Sequence, residues 1–211
     1  MYNPPHFRDD EAKTLMMAGG LCNFITATAD GLVANPIPMY LAPDEGERGV
    51  LYGHVARANP QWQSPPTAEA LAIFMGPDAY ISPSWYPNKA TDGKVVPTWN
   101  YIAVHAYGPV EFFDDSDRLL AVITRLTQLH EGSRAEPWAV SDAPPDYIAL
   151  LLRRIVGVRL TITRIDAKKK MSQNRGLEDR DSVVKGLQDS GRESDRVVGK
   201  LVADTVVAKP L

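Results

Sequence analysis

The sequence predicts a mainly β fold with appended helices (α+β), either a β-barrel carrying helical decoration or an antiparallel sheet with helices at its end. Three observations lead there. Six or seven strand-like stretches crowd the first two thirds of the chain. The strongest helical periodicities come late, at residues 114–131, 146–155 and beyond 178. Strands and helices do not alternate as a parallel sheet requires.

The elements read in order as follows. Met1–Phe7 carries two prolines and reads as an extended arm. Asp9–Met17 reads as a short helix, with three acidic residues at its positive end and Gly19-Gly20 as its stop. Leu21–Thr28 and Leu32–Tyr40 form a hairpin around Asp30-Gly31. Pro36 and Pro38, two apart, mark an edge or a ligand-facing rim. Gly49–Val55 is a third strand, and a short helix starts near Arg57. Ala70–Met75 is a buried strand that continues at Ala79–Ile81 after a kink. Val95–Phe113 alternates as one long strand with a bulge at Gly108-Pro109. Asp114–Glu131 is a helix with Leu119, Val122, Ile123, Leu126 and Leu129 on its inner stripe. Asp146–Ile155 is another, followed by a strand from Val156 to Ile165. Helices at Glu178–Asp189 and Glu193–Val207 close the chain.

Composition excludes several function classes. The chain has 211 residues and a net charge of -3, without the basic footprint of a direct nucleic-acid binder. Lys168-Lys169-Lys170 is its lysine run and reads as solvated surface. The single cysteine, Cys22, excludes an intramolecular disulfide and reads as a buried, inert thiol. The N-terminus lacks the layout of a signal peptide, and the most apolar stretch is broken by Arg153, Arg154 and Arg159, so a cytoplasmic location is expected. His6, His54, His105 and His130 show no close pairing at metal-ligand spacing, so no metal site is expected. No G-x-G-x-x-G or phosphate-binding P-loop is present.

Three clusters, at residues 51–60, 80–86 and 96–101, mix aromatic and hydrogen-bonding side chains, as a pocket for a flat polar ligand does, and a fourth, polar one lies at 170–174. In Gly53-His54-Val55-Ala56-Arg57 a strand ends and a basic residue opens a helix, which suits an anion; alternatively Arg57 is a surface residue and His54 a hydrogen-bonded strand histidine. Tyr80–Tyr86 offers Ser82 and Ser84 as polar contacts and Trp85 as a stacking ring, with Lys89 just beyond; it also reads as a loop anchored on the barrel. In Pro97–Tyr101, Asn100 carries both donor and acceptor beside Trp99; ordinary strand packing with Asn100 exposed at the rim is the competing reading. Lys170–Asn174, with Lys170 and Ser172, is a polar cluster after a strand, or a solvated loop.

At these clusters the sequence resembles the PaiB-type family of FMN-binding, negative transcriptional regulators. The resemblance rests on Met1-Tyr2-x-Pro4, Gly53-His54-x-Ala56-Arg57-Ala58-Asn59-Pro60, Tyr80-Ile81-Ser82-Pro83-Ser84-Trp85-Tyr86, Val96–Tyr101 and Lys170–Asn174, in the family's order. It implies an FMN-binding split β-barrel resembling the pyridoxamine-phosphate oxidase barrels, and a homodimer holding FMN between subunits. It implies residues 1–170 as the barrel with inserted helices. Residues 171–211 follow as a helical extension packed on the barrel or the dimer partner. Arg57 then occupies the place of a phosphate-binding residue, with His54 near the same phosphate. Asn100 falls where a strand amide meets the flavin; Ser82, Ser84, Trp85, Lys89, Trp99, Lys170 and Ser172 complete the implied cofactor set. The arginine-rich flavin-contacting segment of the oxidases is absent, with Trp99-Asn100 in its place, which argues against pyridoxamine-phosphate oxidation.

Two functions from different classes follow: a flavin-dependent or ligand-sensing transcriptional regulator, and an FMN-dependent, flavin-reductase-like oxidoreductase on a small substrate. A flavin store, or a barrel with another ligand such as haem, is a third. DNA contact is implied by the resemblance, but the terminal helices carry mixed charge, which argues against strong direct DNA binding.

Overall fold

The computed structural model describes residues 1–9 and 14–205. Its strands are β1 (Leu21–Thr28), β2 (Gly31–Ala42), β3 (Val50–Ala56), β4 (Ala70–Ile81), β5 (Thr98–Gly108), β6 (Val110–Phe113), β7 (Ile155–Thr161) and β8 (Arg164–Lys170). Its helices are α1 (Thr14–Met17), α2 (Ser116–Glu131), α3 (Pro145–Leu152), α4 (Leu177–Gln188) and α5 (Glu193–Asp204). Residues 10–13 of the expected first helix, and 206–207 of the expected last one, lie outside the described residues. The strands hydrogen-bond in the order β6-β7-β3-β2-β1-β4-β5-β8. The mainly β class with appended helices is therefore observed. The chain divides into two compact units, one of Met1–Ala12, Met75–Ala103 and Asp166–Leu211, the other of Lys13–Phe74 and Val104–Ile165.

In the second unit, β1 and β2 pair from Leu21↔Pro38 to Thr28↔Gly31, so the expected hairpin forms. Gly31 lies at φ +118, a conformation that a side chain disfavours. The expected proline edge needs correction. β2 is an interior strand, yet it pairs with β3 only from Met39 onward. Met39 N–H points to Gly20 of the β1 side, so Pro38 and Pro36 direct their missing donors to the other side, ahead of that ladder. Gly53 makes the junction possible, since a Cβ there would meet Pro38 O at 2.7 Å.

β6 and β1 are four places apart in the order, but the rings of Phe112 and Phe24 meet edge-to-face at 6.3 Å. Only a curled sheet allows this. The expected single strand 95–113 is two, because at Gly108-Pro109 the chain leaves β5 and continues as β6, bonded to β7. A Cβ on Gly108 would lie within 1.8 Å of Thr161 O, so the corner admits glycine alone. The strand expected to end at Ile165 also breaks in two. Ile162 N bonds Gly49 O and Thr163 N bonds Tyr107 O, so the chain changes partners between β7 and β8. No glycine or proline marks that exchange.

α2 begins at Asp115, whose carboxylate accepts from Arg118 N at 2.9 Å, and is followed by Gly132. It buries Leu119, Val122 and Leu126 against Tyr40, Phe113 and Leu152. Cys22 is buried, and burial pushes its thiol up to about 12.

In the first unit the N-terminal arm is held to β8. Phe7 is buried, and the terminal amine of Met1 pairs with Asp166 at 3.0 Å. The lysine run is not a solvated face. Lys168 is 6% exposed, with its ammonium over the rings of Tyr2, Phe7 and Tyr101 at 5.3–5.8 Å. α4 packs on α5, and Arg180 donates to the Val202 and Thr205 carbonyls at the α5 end.

Candidate functional site

The candidate residues fall in both units. In the first unit, Ser82 accepts a hydrogen bond from Ser84 N at 3.2 Å and so caps the turn Pro83–Trp85. Ser84 Oγ in turn accepts from Lys89 Nζ at 3.2 Å. The Trp85 indole lies flat against α4: a Cβ on Gly186 would be 2.3 Å from its ring. Tyr86 beneath it is buried, with the Arg175 guanidinium 4.9 Å from its ring centre. The loop thus anchors the terminal helices, whichever ligand it also meets.

Asn100 corrects an expectation. It is not exposed at the rim but fully buried on the inner face of β5. Its amide donates to Ser172 Oγ at 3.0 Å, and the hydroxyl returns a bond of 3.3 Å. Ser172 holds φ +60, a conformation costing about 1–2 kcal/mol for a residue with a Cβ. Glycine would relieve that strain but would leave the Asn100 amide without its partner, so the buried hydrogen bond explains the serine. Met171 N bonds Gln173 Oε1, and Gln173 Nε2 bonds Lys169 O, closing the turn on itself. This cluster is therefore no solvated loop.

Trp99 faces the other way and is 48% exposed, edge-to-face with the half-exposed Tyr80 at 5.9 Å. Lys170 Nζ donates to the backbone carbonyl of Trp99 at 2.8 Å and to Thr98 Oγ1. Among the described residues no carboxylate pairs with this ammonium. Desolvation, then the charges of Lys168 and Arg175, hold its pKa below the ordinary lysine value. A cation left so under-compensated suits an anion.

In the second unit, Arg57 does not open a helix. The chain runs on to Pro60, where a single turn Pro60–Trp62 is capped by Asn59. Proline at the first position removes an N–H, so no helix N-terminus converges on an anion there. The Arg57 guanidinium donates to Arg153 O at 2.8 Å and Ile155 O at 3.3 Å, and pairs with Asp114 at 3.5 Å. It ties the end of α3 to the start of β7. His54 lines a cavity of about 320 Å3 with Pro38, Ile123, Leu126, His130 and Trp138. Its Nδ1 is buried without a hydrogen-bond partner among the described residues, and burial lowers its pKa. His130, in the last turn of α2, bonds Gly19 O at 2.9 Å.

Sequence reasoning missed a larger cavity, of about 780 Å3, between α2, the turn at Val140–Asp142 and α3. Its only sequence signal is Trp138 within a proline-bearing loop. Among the described residues no three His, Cys, Asp or Glu side chains group to hold a metal. No helix there is long and apolar enough to cross a membrane.

Residues 1–164 match the family described as "Putative FMN-binding domain". The Bacillus subtilis protein named Protease synthase and sporulation protein PAI 2 is 32% identical over 97% of both chains. The chain belongs to this PaiB-type family. An uncharacterized protein of Emericella nidulans is 35% identical over 80% of each chain. Among solved structures, the FAD and heme binding protein of Mycobacterium smegmatis superposes with a TM-score of 0.53 at 15% identity, over 84% of this chain and 77% of the other. The flavocytochrome Anf3 of Azotobacter vinelandii gives 0.52 at 12% identity, over 77% and 68%. At such identities the likeness concerns the fold alone. The PaiB-type chain has the split β-barrel class that its motifs imply.

Proposed function

We propose that this PaiB-type chain binds FMN and that flavin occupancy serves a regulatory output. The observation that carries the flavin reading is the exposed Trp99–Tyr80 ring pair, and Lys170, whose ammonium holds the Trp99 backbone carbonyl, is a candidate for the phosphate. A flat ring with an anionic tail fits these residues: the exposed rings suit the ring system, and among the described residues the cation has no carboxylate partner. Bound flavin would supply the redox chemistry, while these residues bind and orient it. Arg57 is the second candidate for the phosphate, on the family resemblance. A regulatory role is supported by the Bacillus subtilis relative, named for protease synthesis and sporulation. The mixed charge of α4 and α5, Lys185, Arg196 and Lys200 among Asp189, Glu193 and Asp204, favours a protein partner over direct DNA contact. The exposed aromatic pair also favours a second reading, an oxidoreductase whose small substrate stacks near the flavin.

We also infer a homodimer. One face of the β1–β2–β4 ladder in the second unit carries Leu21, Ile25, Leu32, Ala34, Pro36 and Ile73. Leu21 and Leu32 are 67% and 77% exposed, which leaves an apolar sheet face for a second copy.

The test titrates FMN and riboflavin into the wild type, Lys170→Ala and Arg57→Ala, following flavin fluorescence. A phosphate partner loses FMN affinity by about tenfold or more, near 1.4 kcal/mol, and leaves riboflavin unchanged. Lys170→Ala is expected to behave so. Absence of any saturable flavin binding by the wild type sinks the reading. NADH-driven turnover of bound flavin would move the weight to the oxidoreductase.

A further inference from the structure

We propose that α3 is a self-docking helix, which packs antiparallel against α3 of a second copy of this chain about a two-fold axis. The contact is the outward stripe Tyr147, Leu150 and Leu151, flanked by Asp146 at one end and Arg153 at the other. From Tyr147 to Leu152 the helix reads Tyr-Ile-Ala-Leu-Leu-Leu, without a charged residue. Leu152 is buried and Ile148 packs on the same core cluster, with Tyr40, Phe113 and the inner residues of α2. Tyr147, Leu150 and Leu151 fall at i, i+3 and i+4, so they share another side of the helix. They are 53%, 42% and 37% exposed.

Apolar residues scattered singly over a surface are ordinary. Three on one stripe, in a helix that has no polar face between its ends, are the pattern of a helix covered on both sides. The neighbouring α2 shows the contrast, since its exposed positions include Asp117, Arg118, Arg125 and Gln128. The stripe is also held in place at both ends of α3. Tyr147 N and Ile148 N bond Pro144 O at 3.0 and 3.1 Å, and the Arg57 guanidinium bonds Arg153 O at 2.8 Å.

Charge identifies the occupant. Asp146 lies in the first turn of α3, and Arg153 and Arg154 follow its last residue, all three exposed. Among the described residues none of them makes an ion pair. An acid at the start and bases at the end make the helix self-complementary in the antiparallel sense alone. A two-fold axis beside residues 149 and 150 sets Asp146 of each copy opposite Arg153 of the other. It brings Tyr147 to Leu151, and Leu150 to its own counterpart. The apolar stripe supplies the attraction and the exposed ion pairs fix the register. An anionic lipid surface fits less well, because the chain carries a net charge of -3 and Asp146 ends the stripe. A helix of eight residues is about 12 Å long, so the contact is smaller than the ~800 Å2 per partner of a standard interface and forms only at higher concentration. It shares no residue with the sheet face of Leu21 and Leu32, and so joins dimers built through that face into four-chain assemblies.

The test is analytical ultracentrifugation of the full chain, without flavin, from micromolar to millimolar concentration. The wild type and Leu32→Lys, which lacks the sheet-face pairing, should each double in mass reversibly as concentration rises. A wild type that is monomeric when dilute and still doubles removes the sheet-face pairing and supports the α3 contact. Adding Leu150→Lys to Leu32→Lys should abolish the doubling, with an unchanged circular dichroism spectrum. Asp146→Arg and Arg153→Asp each turn two attractions across the axis into two repulsions, and each alone should weaken the association about tenfold. The two together should restore it, which pairing with any other molecule does not predict. Absence of doubling in both parent proteins, doubling of the Leu150→Lys protein like its parent, or a double reversal no better than the single ones overturns the proposal. Flotation of a non-associating chain with phosphatidylserine vesicles, lost in Leu150→Lys, would assign the stripe to a lipid surface and also overturn it.

Discussion

Gly186→Ala offers a sharp check on how the Tyr80–Tyr86 motif holds the terminal helices. Two effects oppose each other. Replacing a helix-interior glycine by alanine gains about 1 kcal/mol through backbone entropy. Against this, the new Cβ would lie 2.3 and 2.5 Å from two atoms of the Trp85 ring. A rigid indole fixed in a capped turn has little room to give, and overpacking of this kind costs about 1–3 kcal/mol. The clash wins, so Gly186→Ala should destabilise the wild type by about 1 kcal/mol. In a Trp85→Ala background the clash is gone and the same change should stabilise by about 1 kcal/mol. The coupling energy is then about 2 kcal/mol, well above the error of additive pairs. Urea unfolding of the four proteins, followed by circular dichroism, measures it. Stabilisation of similar size in both backgrounds would show that Trp85 does not rest on α4, and the reasoning would fall. The same Trp85→Ala protein, titrated with FMN, tells whether the indole also meets the flavin.

Other expectations concern assembly and alkaline stability. Leu32→Lys places a charge on the apolar sheet face and should turn the dimer into a monomer by light scattering; a wild type that is itself monomeric in dilute solution refutes the interface. Burial pushes Cys22 and Tyr40 both up to about 12, from 9.0 and 10.0. The folded chain then keeps protons that the unfolded chain has released. The stability from these groups is complete below about pH 9 and is lost as pH rises toward 12. Cys22 alone accounts for about 1 kcal/mol of loss by pH 10, so Cys22→Ala should flatten the alkaline limb of a denaturation series. An unchanged slope would mean that the thiol is not buried in solution.

Much of the fold was legible because period-two alternation and turn residues are local. The β1–β2 hairpin and the inner stripe of α2 appear in the sequence at nearly their observed bounds, and the alternation of β5 appears within a longer stretch. Strand counting was blurred where one strand passes between partners, at Gly108-Pro109 and at Ile162-Thr163. The second of these carries no turn residue, since long-range hydrogen bonds to Gly49 and Tyr107 make the break. The site was legible as clusters of residue types but not as roles. Asn100 and Ser172 are 72 positions apart, and nothing near either one shows that they bond to each other.

Sequence alone determined the class of the fold, the family, the buried thiol and the core of α2, because each follows from local periodicity or a contiguous motif. Tertiary structure decided which polar residues are free for a ligand. Lys168 looked solvated and is enclosed by three rings, Arg57 looked available and holds two carbonyls, and Lys170 two residues later remains without a counter-charge among the described residues. The physical reason is that a side chain's burial and partners come from segments distant in the chain, and only the folded contacts bring those segments to it.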